Sequence, residues 1–188
     1  MKKPALLLGL GVTVVLILIL SKKRKSPSSR RQRNPDFNYA VVDGGNLTSK
    51  YLVERHRRGE VHIHKGIDIA ASPGTPIRAV SDGIVFLLWP NGEIAGYGNT
   101  VVIKNNDGRA ALYAHLQSWE PSLQVNQQVI QGQVIGYVGN TESGTLGKPM
   151  KPHLHLEIHA NAQRLINKNT PPRLDPEVYL DSVGMNIG

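Results

Sequence analysis

The sequence predicts an all-β domain, a small antiparallel sandwich or barrel-like fold with a short C-terminal helix, preceded by an N-terminal transmembrane helix. Three observations carry this reading. After Pro35 the apolar residues come in short stretches rich in Val, Ile, Tyr and Leu and punctuated by glycine, which is the pattern of strands. Turn signals recur at short spacing, as Ser81, Asp82, Gly83 and again as Asn105, Asn106, Asp107, Gly108, the rhythm an all-β fold requires. No long segment of 3.6-residue period interrupts them.

Taken in order, residues 5–20 are an uninterrupted run of apolar or small side chains, with Lys2 and Lys3 before it and Ser21, Lys22, Lys23, Arg24 and Lys25 after it. As a helix the run is about 24 Å long, enough to cross a hydrocarbon core of about 30 Å only if the flanking lysines snorkel. No small-x-small cleavage site follows Leu20 and the next residues are charged, so residues 1–20 read as an uncleaved anchor, with a secretory signal as the alternative. Residues 21–35, rich in Lys, Arg, Ser and Pro, cannot bury enough apolar surface to fold and read as a disordered basic linker. Its 15 residues would reach about 20 Å. The linker either spaces the domain or contacts an anionic lipid or wall polymer.

Residues 36–188 then have room for one domain with its own core. The formal net charge of +8 hints at nucleic acid, but nine of the 22 basic residues lie in residues 1–34 with no acid, leaving 13 basic against 14 acidic side chains beyond. A basic body is absent, and with it the electrostatic argument for a nucleic-acid partner. Cysteine is absent too, so disulfides and thiolate metal sites are excluded. Strands are expected at residues 66–70, 76–80, 83–89, 100–104, 110–116, 129–130, 134–138 and 153–159. Asp175 before Pro176 resembles an N-cap with proline at the first helical position, hence the short final helix.

Two of these strands carry polar residues suited to a metal. His153 and His155 are two positions apart, so a strand presents both imidazoles to one side. His64 and Asp68 could add a nitrogen and an oxygen, but on a straight strand they would stand about 13 Å apart. The segment must bend, and Gly66 between them can take a bulge or turn at little steric cost. Any metal held here is bound by histidine and carboxylate.

Several motifs in a fixed order resemble the lysostaphin-type (LytM-domain) zinc metallopeptidases, peptidoglycan endopeptidases, over about residues 45–180. They are His64, Lys65, Gly66, Ile67, Asp68 with Ile69, Ala70, Ala71 and Gly74, Thr75, Pro76, Ile77; Asp82, Gly83, Ile84, Val85; Tyr97, Gly98, Asn99; Tyr113, Ala114, His115, Leu116; residues 132–136 with Gly139, Asn140, Thr141; and His153, Leu154, His155, Leu156, Glu157, Ile158. The resemblance implies that His64, Asp68 and His155 are ligands of one zinc ion, Zn2+, and that His115 and His153 are catalytic histidines outside the ligand set. Two imidazoles and a carboxylate leave a fourth tetrahedral position open, as in catalytic zinc sites. By the same resemblance the zinc would activate water and polarise the scissile carbonyl. One of His115 and His153 would move the water's proton to the leaving amine and the other would donate to the oxyanion.

Two departures stand out. Residues 142–152 look longer and richer in Lys, Gly and Pro than the usual link into the His-x-His strand. Some members carry a tyrosine shortly before the first zinc histidine, whereas here that region reads Arg57, Arg58, Gly59, with Tyr51 farther away. Around the site, His62 and His159 share alternation faces with His64 and His155 and are expected to be exposed strand histidines or neighbours of the metal. His56 is expected to be solvated. Glu157 is either a carboxylate that orients His155 or an edge residue. Trp89 and Tyr97 are either core or substrate contacts.

The functional expectation is a membrane-anchored zinc endopeptidase cutting peptidoglycan peptides, in wall remodelling or as a virion-associated phage lysin. The alternative is a non-catalytic wall-binding activator of other hydrolases, which the full set of five site residues disfavours. Such an enzyme must face the wall, on the periplasmic or extracellular side. The positive-inside rule, counting Lys22, Lys23, Arg24, Lys25, Arg30, Arg31 and Arg33 after the segment, places the domain on the other side. A virion membrane is one way out of that conflict.

Overall fold

The computed structural model describes residues 39–57, 59–91, 96–141, 150–166 and 172–188. The expected anchor and linker lie outside them. So does most of the unusual link at residues 142–152, of which only Met150, Lys151 and Pro152 are described.

Among the described residues, twelve strands and two helices follow in order: β1 (Asn46–Ser49), β2 (Glu54–Arg57), β3 (Glu60–Ile63), β4 (Ile67–Ala70), β5 (Pro76–Arg78), β6 (Gly83–Trp89), β7 (Asn99–Asn105), β8 (Ala110–Trp119), β9 (Gln128–Val129), β10 (Val134–Val138), β11 (His153–His159), α1 (Gln163–Ile166), β12 (Arg173–Leu174) and α2 (Pro176–Val183). The expected strands at residues 83–89, 134–138 and 153–159 are present with those limits, those expected at 66–70 and 76–80 are shorter by one and two residues, and the others are shifted or extended by one to three residues at an end. One mostly antiparallel sheet runs β1-β4-β11-β8-β7-β6-β9, with β10 joining β5 to β8 and β12 pairing with β11. Strands β2 and β3 form a separate hairpin.

Alternation sorts the sheet into two faces. Ile67, Ile69, Val101, Ile103, Tyr113, Leu154, Leu156 and Ile158 point into the main core, while Val102, Leu112 and Ala114 belong to a smaller apolar cluster on the opposite face. Residues on one strand that alternate between these clusters have opposite faces by geometry alone. Asp68 and His155 lie between core residues on their strands and therefore share the face of the smaller cluster. Register completes the placement, because His155 sits opposite Asp68 on one side and Ala114 on the other.

Helix α2 closes the main core with Tyr179 and Leu180. Its start is as expected: the Asp175 carboxylate accepts from the Glu177 N–H at 2.9 Å, with Pro176 in the first turn, and it ends on Gly184 at φ 68°. That cap satisfies a helix-end donor that would otherwise be orphaned, and glycine takes the left-handed exit without a Cβ penalty.

Candidate metal centre and active site

His64 lies just before β4 and Asp68 is its second residue. The bend between them does need Gly66, though for a different reason than a turn conformation: Gly66 is outside the left-handed region, and a Cβ there would collide with the Leu156 carbonyl of β11. The glycine permits close approach of the loop to the strand that carries His155.

This approach brings His64 Nε2 to 3.1 Å from Asp68 Oδ1 and 3.1 Å from His155 Nδ1, and His155 Nδ1 to 2.8 Å from Asp68 Oδ1. All three residues are buried. Four-coordinate zinc with bonds of about 2.0–2.1 Å sets its ligand atoms roughly 3.3 Å apart. The donor set and its spacing fit zinc, and no other group of three or more His, Cys, Asp or Glu among the described residues offers such a cluster.

Both imidazoles are oriented from behind. His64 Nδ1–H donates to the Lys50 carbonyl at 2.8 Å, leaving Nε2 for the centre. His155 Nε2–H donates to Glu157 Oε1 at 3.1 Å, leaving Nδ1. Partners of this kind fix ring orientation and tautomer and raise ligand basicity. Glu157 is itself fully buried and held on several sides: Tyr97 Oη donates to Oε1 at 2.8 Å, Arg173 Nε donates to Oε2 at 2.8 Å, and His159 Nε2 lies 2.7 Å from Oε2. Burial pushes the Glu157 carboxyl up, but the bonds from His155 and His159 and the charges of His155 and Arg173 hold it far below the usual carboxylate range. Asp68 is governed the same way, with burial outweighed by His155, His64 and Arg55. Arg55 pairs with the Oδ2 oxygen of Asp68 and also donates to Ser49 Oγ at 2.7 Å. For His155, burial acts downward, yet the carboxylates on both ring nitrogens raise its pKa.

The model of "Peptidase family M23" matches residues 62–167 of this chain. The chain belongs to that family. Members are zinc-dependent, in keeping with the donor set. The chain is 43% identical over 101 residues to the DD-carboxypeptidase/endopeptidase Mpg of Neisseria meningitidis serogroup B, covering 54% of this chain and 21% of that protein. It is 37% identical over 123 residues to the glycyl-glycine endopeptidase ALE-1 of Staphylococcus capitis, covering 64% and 30% respectively. The M23 chain thus spans under a third of the length of either relative. Among solved structures, the catalytic domain of lysostaphin from Staphylococcus simulans superposes with a TM-score of 0.59 at 26% identity, over 74% of this chain and 94% of that one.

The M23 domain places two further histidines beside the metal donors. His115 and His153 face each other with ring centroids 4.8 Å apart, and His115 is 5.9 Å from His155. Their outer nitrogens are also engaged: His115 Nδ1–H donates to the Thr141 carbonyl at 2.9 Å and His153 Nδ1–H to the Lys151 carbonyl at 2.7 Å. Burial pushes the His115 pKa down to about 3, with the neighbouring histidines adding to the fall. His115 stands at φ 64°, where a residue other than glycine is uncommon. The cause lies in the ladder. Asn99 and Val101 of β7 pair with Leu116 and Tyr113 of β8, so two steps on β7 span three on β8. The extra residue is a bulge, and it lets His115 avoid the core side that Tyr113 and Leu116 both occupy.

The five residues expected from the sequence therefore meet at one groove of about 400 Å³, lined also by Arg55, His62, Lys65, Tyr97, Met150 and Lys151. His62 lines the rim but is exposed, 3.5 Å from Glu60. His56 is exposed, as expected. The expectation of an exposed or metal-adjacent His159 is corrected: it is buried behind Glu157, because β11 is an interior strand throughout. The edge reading of Glu157 fails for the same reason. Tyr51 points its hydroxyl to the Arg173 carbonyl. Trp89 packs on the smaller apolar cluster, and Tyr97 both packs there and reaches Glu157. Sequence reasoning missed Arg55 and Arg173. Neither lies in a motif, and each arrives by strand pairing alone.

Proposed function

We propose that this chain is a zinc endopeptidase that hydrolyses peptide cross-links of bacterial peptidoglycan, with His64, Asp68 and His155 as zinc ligands and His115 and His153 as the catalytic pair. One observation carries the reading: four imidazoles converge on a single buried carboxylate and its groove, each with its outer nitrogen donated to a carbonyl or carboxylate. Surface histidines are not held that way. The names of Mpg and ALE-1, a DD-carboxypeptidase/endopeptidase and a glycyl-glycine endopeptidase, support peptide bonds of the wall as substrate.

Bound by the three donors, zinc supplies Lewis acidity for the scissile carbonyl and the attacking water. The protein's own groups do the rest. His115 remains a neutral imidazole at neutral pH, so its Nε2 lone pair is available to take a proton from water. His153, presenting Nε2 across from it and lying 3.8 Å from Asp68 Oδ1, can carry a proton to the oxyanion or the leaving amine. Fixed hydrogen bonds on both outer nitrogens mean that neither ring must reorient during turnover.

The apolar run at residues 5–20 and the basic stretch at residues 21–35 support an anchored domain, residues 36–188, on a short tether facing the wall. The cluster of basic residues after the run favours a virion membrane as an alternative placement, because a cytoplasmic domain would have no wall to cut. The deciding experiment is digestion of purified peptidoglycan by the chain with and without chelator, with metal content measured and fragments analysed by mass. About one zinc per chain and chelator-sensitive new amino termini are expected. Zinc without fragments would defeat the enzyme reading in favour of a binding module. Fractionating cells and virions locates the protein.

A further inference from the structure

We infer that the groove selects peptides carrying a free carboxylate beside the scissile bond, held by Lys65 and Lys151, and so disfavours an uncharged glycyl bridge. The inference rests on the peptidase reading above and concerns the substrate of that same site.

The free charge around the reacting centre is of one sign. Among the described lining residues only Asp68 and Glu157 are acidic, and neither is free to meet a substrate. Asp68 is committed to His64, His155 and Arg55, and Glu157 is fully buried against His155 and Arg173. The basic side chains are Arg55, Lys65 and Lys151. Arg55 is spent on Asp68 and Ser49. Lys65 and Lys151 are exposed, and neither has an ion-pair partner among the described residues.

Their positions matter more than their number. Lys65 follows the first metal-site histidine directly in the chain, and the carbonyl of Lys151 is the group that orients His153. Both lysines line the groove from backbone next to its histidines. A cleft lined by one sign of charge concentrates ligands of the other. A glycyl bridge gains nothing from them. A peptide ending in, or branching to, a carboxylate within a residue or two of the cut gains a charge-assisted hydrogen bond. That chemistry matches the carboxypeptidase activity in the name of Mpg better than the glycyl-glycine activity in the name of ALE-1.

The test uses the zinc-loaded chain and three synthetic peptides: a D-alanyl stem peptide with its carboxylate free, the same peptide amidated at that group, and pentaglycine acetylated and amidated at its ends so that it is uncharged. The free acid should be cleaved about fivefold better than the amide in kcat/KM, through KM, and the preference should shrink in high salt. Lys65→Gln or Lys151→Gln should each lower the acid-to-amide ratio about twofold, and both together should bring it close to one. Lys104→Gln, on β7 away from the groove, should leave the ratio alone. Equal cleavage of acid and amide, a ratio unmoved in the double variant, or a preference for pentaglycine would overturn the selectivity while leaving the peptidase intact. Cleavage of none of the peptides, and of no purified wall, would overturn the peptidase reading and this inference with it.

Discussion

Strands β4 and β11 hold Asp68 and His155 opposite each other in the interior of a sheet, whereas the β2–β3 hairpin at the rim of the same groove pairs with itself and leaves Val61 and Ile63 about half exposed. The floor is a ladder hydrogen-bonded on both sides with a core beneath it. The rim is a two-stranded ribbon, a structure with little stability of its own. Metal chemistry needs donors fixed to fractions of an ångström, and the floor provides that. Substrate recognition tolerates more play.

Changes to the floor should accordingly dwarf changes to the rim. The largest effect is expected from His155→Ala or Asp68→Ala, which should abolish both bound zinc and hydrolysis, read by metal analysis and fragment release. Next come His115→Ala and His153→Ala, which should lower kcat about 10²–10⁴-fold while zinc stays bound. Retention of full activity in either would remove it from the catalytic pair. Glu157→Gln should weaken zinc binding about 10–100-fold in chelator competition.

Acid should act on the same floor. The raised His155 pKa means that protons compete with metal for Nδ1, so zinc affinity should fall as pH drops and rise as it climbs, with proton release on binding visible by calorimetry in different buffers. The depressed Glu157 pKa contributes stability that is fully present above the ordinary carboxylate value and is lost as pH falls below it. Acid unfolding should therefore be shallower in Glu157→Gln. The smallest effect is expected at the rim, where Val61→Ser should shift stability by no more than about 0.5 kcal/mol. A large loss there would show that the hairpin is part of the cooperative fold.

How far the sequence reveals this division depends on whether a feature is local. The His-x-His alternation on β11, the proline-capped start of α2 and the turn-bounded strands are all readable, because period, cap and turn chemistry are properties of neighbouring residues. The network behind His155 is different. Glu157 takes hydrogen bonds from Tyr97, 60 positions away, and from Arg173, 16 positions away on a two-residue strand. Nothing in the spacing of those residues announces the meeting: β12 pairing with β11 brings Arg173, and the loop before β7, tied to β8 through His115 N–H and the Tyr97 carbonyl, brings Tyr97. Arg55 is hidden for the same reason, its hairpin being polar on a first reading. Gly66 shows a subtler limit: its necessity is legible, but the clash it avoids is with a residue 90 positions downstream.

The bulge at His115 means that strand β8 carries one residue more than its pairing with β7 matches. Tyr113 and Leu116 both face the main core, so deleting His115 would restore plain alternation between these two residues and leave both on their present face. The unusual backbone at φ 64° would vanish with it. Such a one-residue deletion should yield a protein that folds as well as the parent or better, and that has lost its chemistry. Catalysis in this domain is written partly in the count of residues along a strand, and a surplus of one separates a working enzyme from a well-made scaffold.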